Sequence, residues 1–332
     1  MNIDEISLDV IIPSYRPGSK FIKLIHSLSC QDHPVNKLII MNTDESEMNK
    51  DILDELHRLN ETKDSGLFGK IELHHIEKSE FDHAFTRAEG VGYSLSDAFL
   101  CMTDDAVPCN TRLISELLNS LYKEEDIAEA YGRQLPLPDT DYAERFTREF
   151  NYPKNSFVKS AADIKRYGIK TYFASNVCCI YKRNIYDKLG GFSGPAIFNE
   201  DMVYAAEAIK RGYKIAYCAE AMVMHAHSYT AIQQLKRNFD LGVSQAMHRE
   251  IFDAVPSEGE GIRLVIKTIK YLIGIGRPWL IPKLVVQSGA KFIGYRLGKG
   301  YEKLPDWMLM KLAMNRSFVE TRFIKSGKEE DV

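Results

Sequence analysis

In the first hundred residues, short apolar runs alternate with polar turns and with apolar positions spaced three and four apart. "LDVIIPSY" is a β-branched run ending at a Pro-Ser turn, and Phe21, Leu24, Ile25 and Leu28 then fall at helical spacing. "KLIIMNTDES" repeats the strand-then-polar pattern, "NKDILDELHRL" is helical, and "KIELHHIE" is a short strand. "AFTRAEGVGYSLS" is a helix that carries Gly90 and Gly92, read as packing glycines, and it leads into the run Ala98 to Met102. That run is continuously apolar, as in a strand covered on both faces. It ends in two carboxylates, Asp104 and Asp105, at the strand edge where open α/β sheets bind ligands. The pattern predicts an α/β fold whose mostly parallel central sheet is flanked by helices.

Beyond Pro108 the pattern is less regular. "TRLISELLNSLYKE" predicts a helix capped by Asn110, and the polar, aromatic, proline-containing stretch from Tyr131 to Tyr172 reads as a functional loop region with one short helix. "TYFASNVCCIYKR" reads as a strand and "GGFSGPAIF" as a loop. "NEDMVYAAEAIKRGY" reads as a helix with Asn199 as its N-cap, and "KIAYCAEAMVMHAH" as paired strands. The last hundred residues form a helical extension that mixes apolar and cationic positions around Gly and Pro.

Composition narrows the function. With 332 residues, 45% hydrophobic, the chain can bury a full core. Its six cysteines lack the spacing of a zinc site or a disulfide framework, which predicts reduced thiols. "MNIDEISLDVIIPSY" has neither the basic nor the apolar region of an export signal, and no uninterrupted apolar stretch is long enough to span a bilayer. A cytoplasmic location is expected. The net charge of -3 conceals +8 from Gly261 onward and -11 before it. The acidic body argues against nucleic acid as a partner, and the basic, apolar tail suits an anionic membrane surface. Neither a G-x-G-x-x-G turn nor a Walker cradle follows a strand, so a diphosphate ligand needs another counter-charge. A divalent cation held by carboxylates would supply it.

Three groups carry candidate chemistry. Asp104 and Asp105 either hold a metal or shape a turn. Glu200 and Asp201, in the first turn of a helix, either complement its dipole or provide a general base. His225 and His227 alternate in an expected strand and so share a face, where they serve a metal or phosphate or are ordinary histidines.

The order "VIIPSY", "LIIMNTDES", "FLCMTDDAVP", "GGFSGPAIFNEDMVYAAEAIKRGYKIAY" and "HAHSY" resembles the inverting family 2 glycosyltransferases of the GT-A fold, over roughly residues 8 to 230. "FDHAFTRAEGVG", "GRQLPLPDTDYAERFTREFNYP", "YFASNVCCIYKR" and "AKFIGYRLGKGYEKLP" further resemble bacterial rhamnosyltransferases that build cell-surface polysaccharides.

The resemblance implies a GT-A catalytic domain over residues 1–230, with a nucleotide-binding part to residue 105 and an acceptor part after it. Residues 231–332 form the extension. It implies that Pro13, Ser14 and Tyr15 line a nucleoside pocket, that Asn42, Thr43 and Asp44 read the pyrimidine, and that Arg87 contacts base or phosphate. Arg133 and Gln134, within "GRQLPLP", join Asp104 on the donor side. Asp105, with Asp104 beside it, matches the metal-binding acids, although Thr103 replaces the first acid of the family's spaced pair. His225 or His227 matches a histidine near the metal and diphosphate, and Asp201 matches the catalytic base. The implied activity is transfer of L-rhamnose from dTDP-rhamnose to a lipid-linked glycan with Mg²⁺ or Mn²⁺, at the inner face of the cell membrane. A UDP-hexose donor on the same fold is one alternative, and a catalytically silent glycan- or membrane-binding module is another.

Overall fold

The computed structural model describes residues 2–61, 68–227, 229–255 and 258–325; the last residues of the expected extension and the serine of "HAHSY" lie outside them. The amino-terminal third alternates as expected: β1 (Leu8–Ser14), α1 (Ser19–Ser29), β2 (Val35–Thr43), α2 (Lys50–Glu61), β3 (Phe68–Ile76), α3 (His83–Gly92) and β4 (Ala98–Met102). β1 pairs in parallel with β2 and β4, and β2 with β3. Every residue of β4 is buried because its two faces serve separate cores, Leu100 and Met102 in one, Phe99 and Cys101 in the other.

The chain continues through β5 (Val107–Pro108), α4 (Leu113–Leu121), β6 (Ile127–Leu135), α5 (Tyr142–Asn151), β7 (Phe157–Lys159), α6 (Ile164–Tyr167), β8 (Cys178–Lys182), α7 (Arg183–Leu189), α8 (Glu200–Lys210) and β9 (Lys214–Met224). The strand order is β3-β2-β1-β4-β8-β6-β9-β5, with β7 on the flank of β9. β8 inserts antiparallel between β4 and β6, and β6 runs parallel to β9. The sheet is thus parallel through its amino-terminal half and mixed beyond it.

Several local expectations need correction. Residues 131–135 belong to the strand β6 rather than to a loop, because their backbone completes the ladder between β8 and β9. The strand expected from Thr171 begins only at Cys178, since a 3₁₀ turn occupies Gly168–Tyr172. One strand, not two, precedes the histidine pair, and it ends at Met224. Asn110 accepts from the Arg112 amide in a local turn instead of capping α4. Asn199 precedes α8 in the left-handed conformation, φ 64°, with no capping bond from its side chain. Gly90 does pack, since a Cβ there would lie 2.7 Å from Ile11 Cγ2, whereas Gly92 faces open space.

The carboxyl-terminal extension is helical: α9 (Ala231–Met247), α10 (Arg249–Phe252), α11 (Glu258–Gly274), α12 (Ile281–Lys299), α13 (Asp306–Leu312) and α14 (Arg316–Val319). α9 and α12 meet backbone to backbone. A Cβ on Gly294 would lie 2.1 Å from the Leu235 carbonyl oxygen, one on Gly298 2.1 Å from that of Phe239, and one on Gly242 2.3 Å from that of Tyr295. The pairs Leu235–Gly294 and Phe239–Gly298 advance in the same direction along both helices, which makes the two helices parallel. Among the described residues, no helix is long and apolar enough to cross a membrane.

The glycine contact admits no side chain without separating the helices. Gly298→Val is expected to destabilise the fold by about 1–3 kcal/mol or more, the usual range for overpacking. Gly92→Ala should stay near wild type. Thermal melts of the two variants check the contrast.

Candidate active site

A cleft of about 800 Å³ opens along the carboxyl ends of β1 and β4. Tyr15, Arg87, Asp104, Asp105, Gln134, Asp201, His225 and His227, all expected from the sequence, line it. Pro13, Ser14, Asn42, Thr43, Asp44 and Arg133 do not. Asn42 is fully buried, and its amide donates to the Asp44 carbonyl and meets His75 Nδ1 at 3.0 Å. The Asp44 carboxylate accepts from the Ser46 amide and hydroxyl, which lower its pKa. Arg133 and Gln134 are neighbours in β6 and so point to opposite faces, leaving only Gln134 in the cleft.

At one end of the cleft, Asp105 Oδ1 and Oδ2 lie 3.4 Å from His225 Nε2 and His227 Nε2 respectively. Asp104 turns the other way and accepts from the Tyr15 amide at 3.3 Å; burial and then the Asp105 charge push its carboxyl up to about 6. Gln134 fixes the His225 ring. Arg148 Nη1 donates to Gln134 Oε1, and Gln134 Nε2 donates to Ser175 Oγ at 3.0 Å, so the amide oxygen faces His225 Nδ1 at 2.9 Å. Nδ1 therefore carries the proton. Burial, and then the Arg148 charge, hold this imidazole well below its ordinary pKa. The neutral ring presents the bare lone pair of Nε2 to a carboxylate oxygen, and two acceptors that face each other call for a cation between them. Asp105, His225 and His227 have ligand atoms within 4.8 Å of one another and form a candidate metal site.

At the other end, α3 and α8 bring two buried groups together. Arg87 Nη1 lies 2.9 Å from Glu200 Oε1, and Asn176 Nδ2 donates to the same oxygen at 3.0 Å. Burial opposes ionisation of Glu200, but the Arg87 guanidinium overrides it and holds the carboxyl below its usual range. Asp201 accepts from the Asn176 amide at 3.0 Å and from the Met202 amide at 2.7 Å. Burial, and then the Glu200 charge, push Asp201 up to about 7. On three residues that line the cleft, Thr103 Oγ1, Arg87 Nε and Asn199 Nδ2 are buried without hydrogen-bond partners. Orphaned polar atoms lining a cleft are the mark of a site that completes its bonds with a ligand.

Sequence reasoning missed Asn176, Arg148, Arg237 and Lys291, all of which line the cleft. It left Glu200 open between helix-dipole partner and general base, and did not foresee its pairing with Arg87 and Asn176. Asn176 and Arg148 have no local signal for these roles, because they act through Glu200, Asp201 and Gln134, distant in sequence.

The sequence profile of the family described as Glycosyltransferase like family 2 matches residues 7–240. The chain belongs to glycosyltransferase family 2. It is 35% identical over 326 residues to the O-antigen chain rhamnosyltransferase WbaN of Salmonella anatum, which covers 97% of this chain and 99% of the relative. It is 34% identical over 326 residues to the O-antigen chain rhamnosyltransferase RfbN of Salmonella typhimurium, with 98% and 99% covered. In fold this family 2 glycosyltransferase is similar to the mannosyltransferase PcManGT from Pyrobaculum calidifontis, solved with GDP-Man and Mn²⁺ (TM-score 0.54, 15% identity, 96% of this chain and 88% of that one). It is also similar to residues 1–349 of S. aureus TarS (TM-score 0.51, 13% identity, 90% and 92% covered). The GT-A architecture expected from the sequence is the one observed.

The raised Asp201 in this glycosyltransferase makes a signed prediction. Between its ordinary pKa of 3.8 and about 7 the native state holds a proton that the unfolded chain has released. The Asp201 contribution to stability is therefore full below that window and is lost as pH rises through it. Asp201→Asn lacks this loss, so its stability relative to wild type should increase from pH 4 to pH 7 and then level off. Urea midpoints across that range check it.

Proposed function

We propose that the chain transfers L-rhamnose from dTDP-rhamnose to a lipid-linked precursor of a cell-surface polysaccharide, with inversion at the anomeric carbon. The observation that carries this reading is a single cleft holding both the Asp105–His225–His227 cluster and the raised Asp201, in a chain so similar to two O-antigen rhamnosyltransferases along nearly its whole length.

Tyr15, exposed at the end of β1 with Lys78 Nζ 2.9 Å from its hydroxyl, offers a ring on which the pyrimidine can stack. Asp105, His225 and His227 would hold a divalent cation. Their mixed oxygen and nitrogen set suits Mn²⁺ better than Mg²⁺, which prefers oxygen ligands throughout. When bound, such an ion supplies positive charge to the diphosphate oxygens on which the leaving group's electrons collect. Asp201 accepts the proton of the acceptor hydroxyl as that oxygen bonds to the anomeric carbon and the bond from that carbon to the diphosphate oxygen breaks. Asn176 holds the Asp201 carboxylate through its backbone amide, and a base poised near 7 matches its task at neutral pH.

The extension supports a peripheral attachment. Ile262, Ile266, Ile273, Trp279, Val286 and Phe292 of the α11–α12 segment are exposed. Of the cations beside them, Lys283 pairs with Asp141, Lys267 lies over the Phe150 ring, and Arg277 lies over the Tyr142 and Trp279 rings. Leu272 packs inward and is fully buried. An apolar ridge bordered by cations suits the anionic leaflet in which a lipid-linked acceptor sits.

Asp201→Asn should lower kcat by about 10²- to 10⁴-fold while dTDP-rhamnose still binds, the effect of removing a general base. Asp105→Asn should instead weaken Mn²⁺-dependent donor binding. Equal loss of affinity and turnover in Asp201→Asn would reduce that residue to a shaping role. A UDP-hexose that outcompetes dTDP-rhamnose in the binding assay would move the donor assignment.

Binding to anionic vesicles should be salt-sensitive and weaken by roughly tenfold or more when Lys270 and Arg277 are changed to Gln, at about 1 kcal/mol per cation. Equal binding to neutral and anionic vesicles in a sedimentation assay would refute the electrostatic attachment.

A further inference from the structure

The wall of the cleft contributed by the extension carries positive charge that the proposed mechanism leaves unused. Arg237 of α9 and Lys291 of α12 both line the cleft. Arg237 is pinned between two rings, its guanidinium carbon 4.5 Å from the centroid of Phe198 and 5.6 Å from that of Tyr229. Tyr229 in turn stacks on His227 at 5.2 Å, so Arg237 is fixed beside the metal-site cluster. Among the described residues no carboxylate lies within salt-bridge distance of either cation. The nearby acids are engaged elsewhere: Glu144 with Arg148 at 3.0 Å, and Asp141 with Lys283 at 3.1 Å and with the Glu144 amide. The glycine contact between α9 and α12 holds the two helices at backbone distance, so the two charges cannot relax apart by a helix shift. Burial, and Arg237 and Arg148 beside it, pull the Lys291 ammonium below its ordinary pKa against the opposing pull of Glu144 and Asp141.

Keeping two like charges together, partly desolvated and without a counter-ion, is unfavourable unless an anion joins them. The planar fork of a ring-clamped arginine and a lysine beside it are the donors that phosphoryl oxygens take. A donor diphosphate would already meet a cation at Asp105, His225 and His227, which leaves this second pair free for further phosphoryl oxygens.

We propose that Arg237 and Lys291 form a phosphate subsite separate from the metal-site residues, and that it takes a diphosphate. The proposal deepens the transferase reading and rests on it for the choice between two sources: the donor's diphosphate, or a diphosphate that links the acceptor glycan to its lipid.

The test is titration calorimetry with inorganic pyrophosphate in the presence of EDTA, on the full chain and on Arg237→Gln and Lys291→Gln. Each substitution is expected to weaken pyrophosphate binding about tenfold, the scale of one charge-assisted contact. Lys291→Arg, which keeps the charge, should bind like wild type. A second titration with dTDP and Mn²⁺ separates the sources. A parallel loss in the Gln variants assigns the subsite to the donor, and unchanged dTDP binding assigns it to the acceptor. Pyrophosphate that fails to bind the wild-type chain, or binds both Gln variants within twofold of wild type, overturns the proposal. If a Gln variant melts early, the comparison of wild type with Lys291→Arg and Arg237→Lys at increasing salt replaces it, and salt-independent binding then overturns the subsite. The metal-free titration does not pass through Asp105 or Asp201, so failure of the transferase reading would appear separately, as absence of Mn²⁺-dependent dTDP binding in wild type.

Discussion

The buried ion pair between Arg87 and Glu200 is the constraint on which the cleft depends. It joins α3, from the parallel half of the sheet, to the first turn of α8, from the mixed half. Both side chains are nearly inaccessible, and removing one partner from such a pair typically costs about 3–5 kcal/mol because the other charge is stranded. The pair also sets the electrostatics of its neighbour. Glu200 stays ionised because Arg87 is there, and an ionised Glu200 beside Asp201 raises the Asp201 carboxyl. One contact thus closes the floor of the cleft and tunes the adjacent acid.

The two ends of the cleft are built by the same device, a polar side chain that fixes another's orientation. Asn176 bridges Glu200 and Asp201 with its amide side chain and its backbone, and the Tyr181 hydroxyl donates to Asn176 Oδ1 at 2.7 Å to hold it. Gln134 does the corresponding work for His225, braced by Arg148 and Ser175. Two amides, one on β6 and one just before β8, therefore decide which nitrogen of a histidine is bare and which way a carboxylate points. Amide side chains suit this because they combine a donor and an acceptor in one rigid plane.

What the sequence made legible follows from burial. β1, β2 and β4 are covered on both faces, so their apolar runs announce strands, and the acids after β4 were found at the sheet edge because a run that is all core must end where the core ends. β6 escaped because Glu129, Gly132, Arg133 and Gln134 interrupt it. Its polarity reads as a loop, yet Glu129 is wholly buried, pushed up to about 8 by desolvation, and lodged among Tyr181, Cys179 and Lys159. His225 and His227 were placed in a strand that in fact stops at Met224; they still converge, because the chain stays extended enough beyond it to bring both rings to Asp105. The Arg87–Glu200 pair had no trace in either local pattern. Arg87 was singled out by the resemblance and Glu200 as a candidate base, each on its own helix, and only the packing of α3 against α8 joins the two.

The close approach of α9 and α12 bears on how such a chain can diversify. Elements joined by interlocking side chains tolerate replacement one residue at a time, since a larger group on one side is met by a smaller one on the other. Elements joined through bare backbone have no such reserve: at Gly242, Gly294 and Gly298 there is no side chain left to trim. Sequence change would then be better tolerated away from this seam, and a recombination crossover between the two helices would inherit a matched pair or an unfolded one. Because cleft residues sit on both helices, the shape of that cleft wall in descendants of this chain is expected to travel with α9 and α12 as one heritable block.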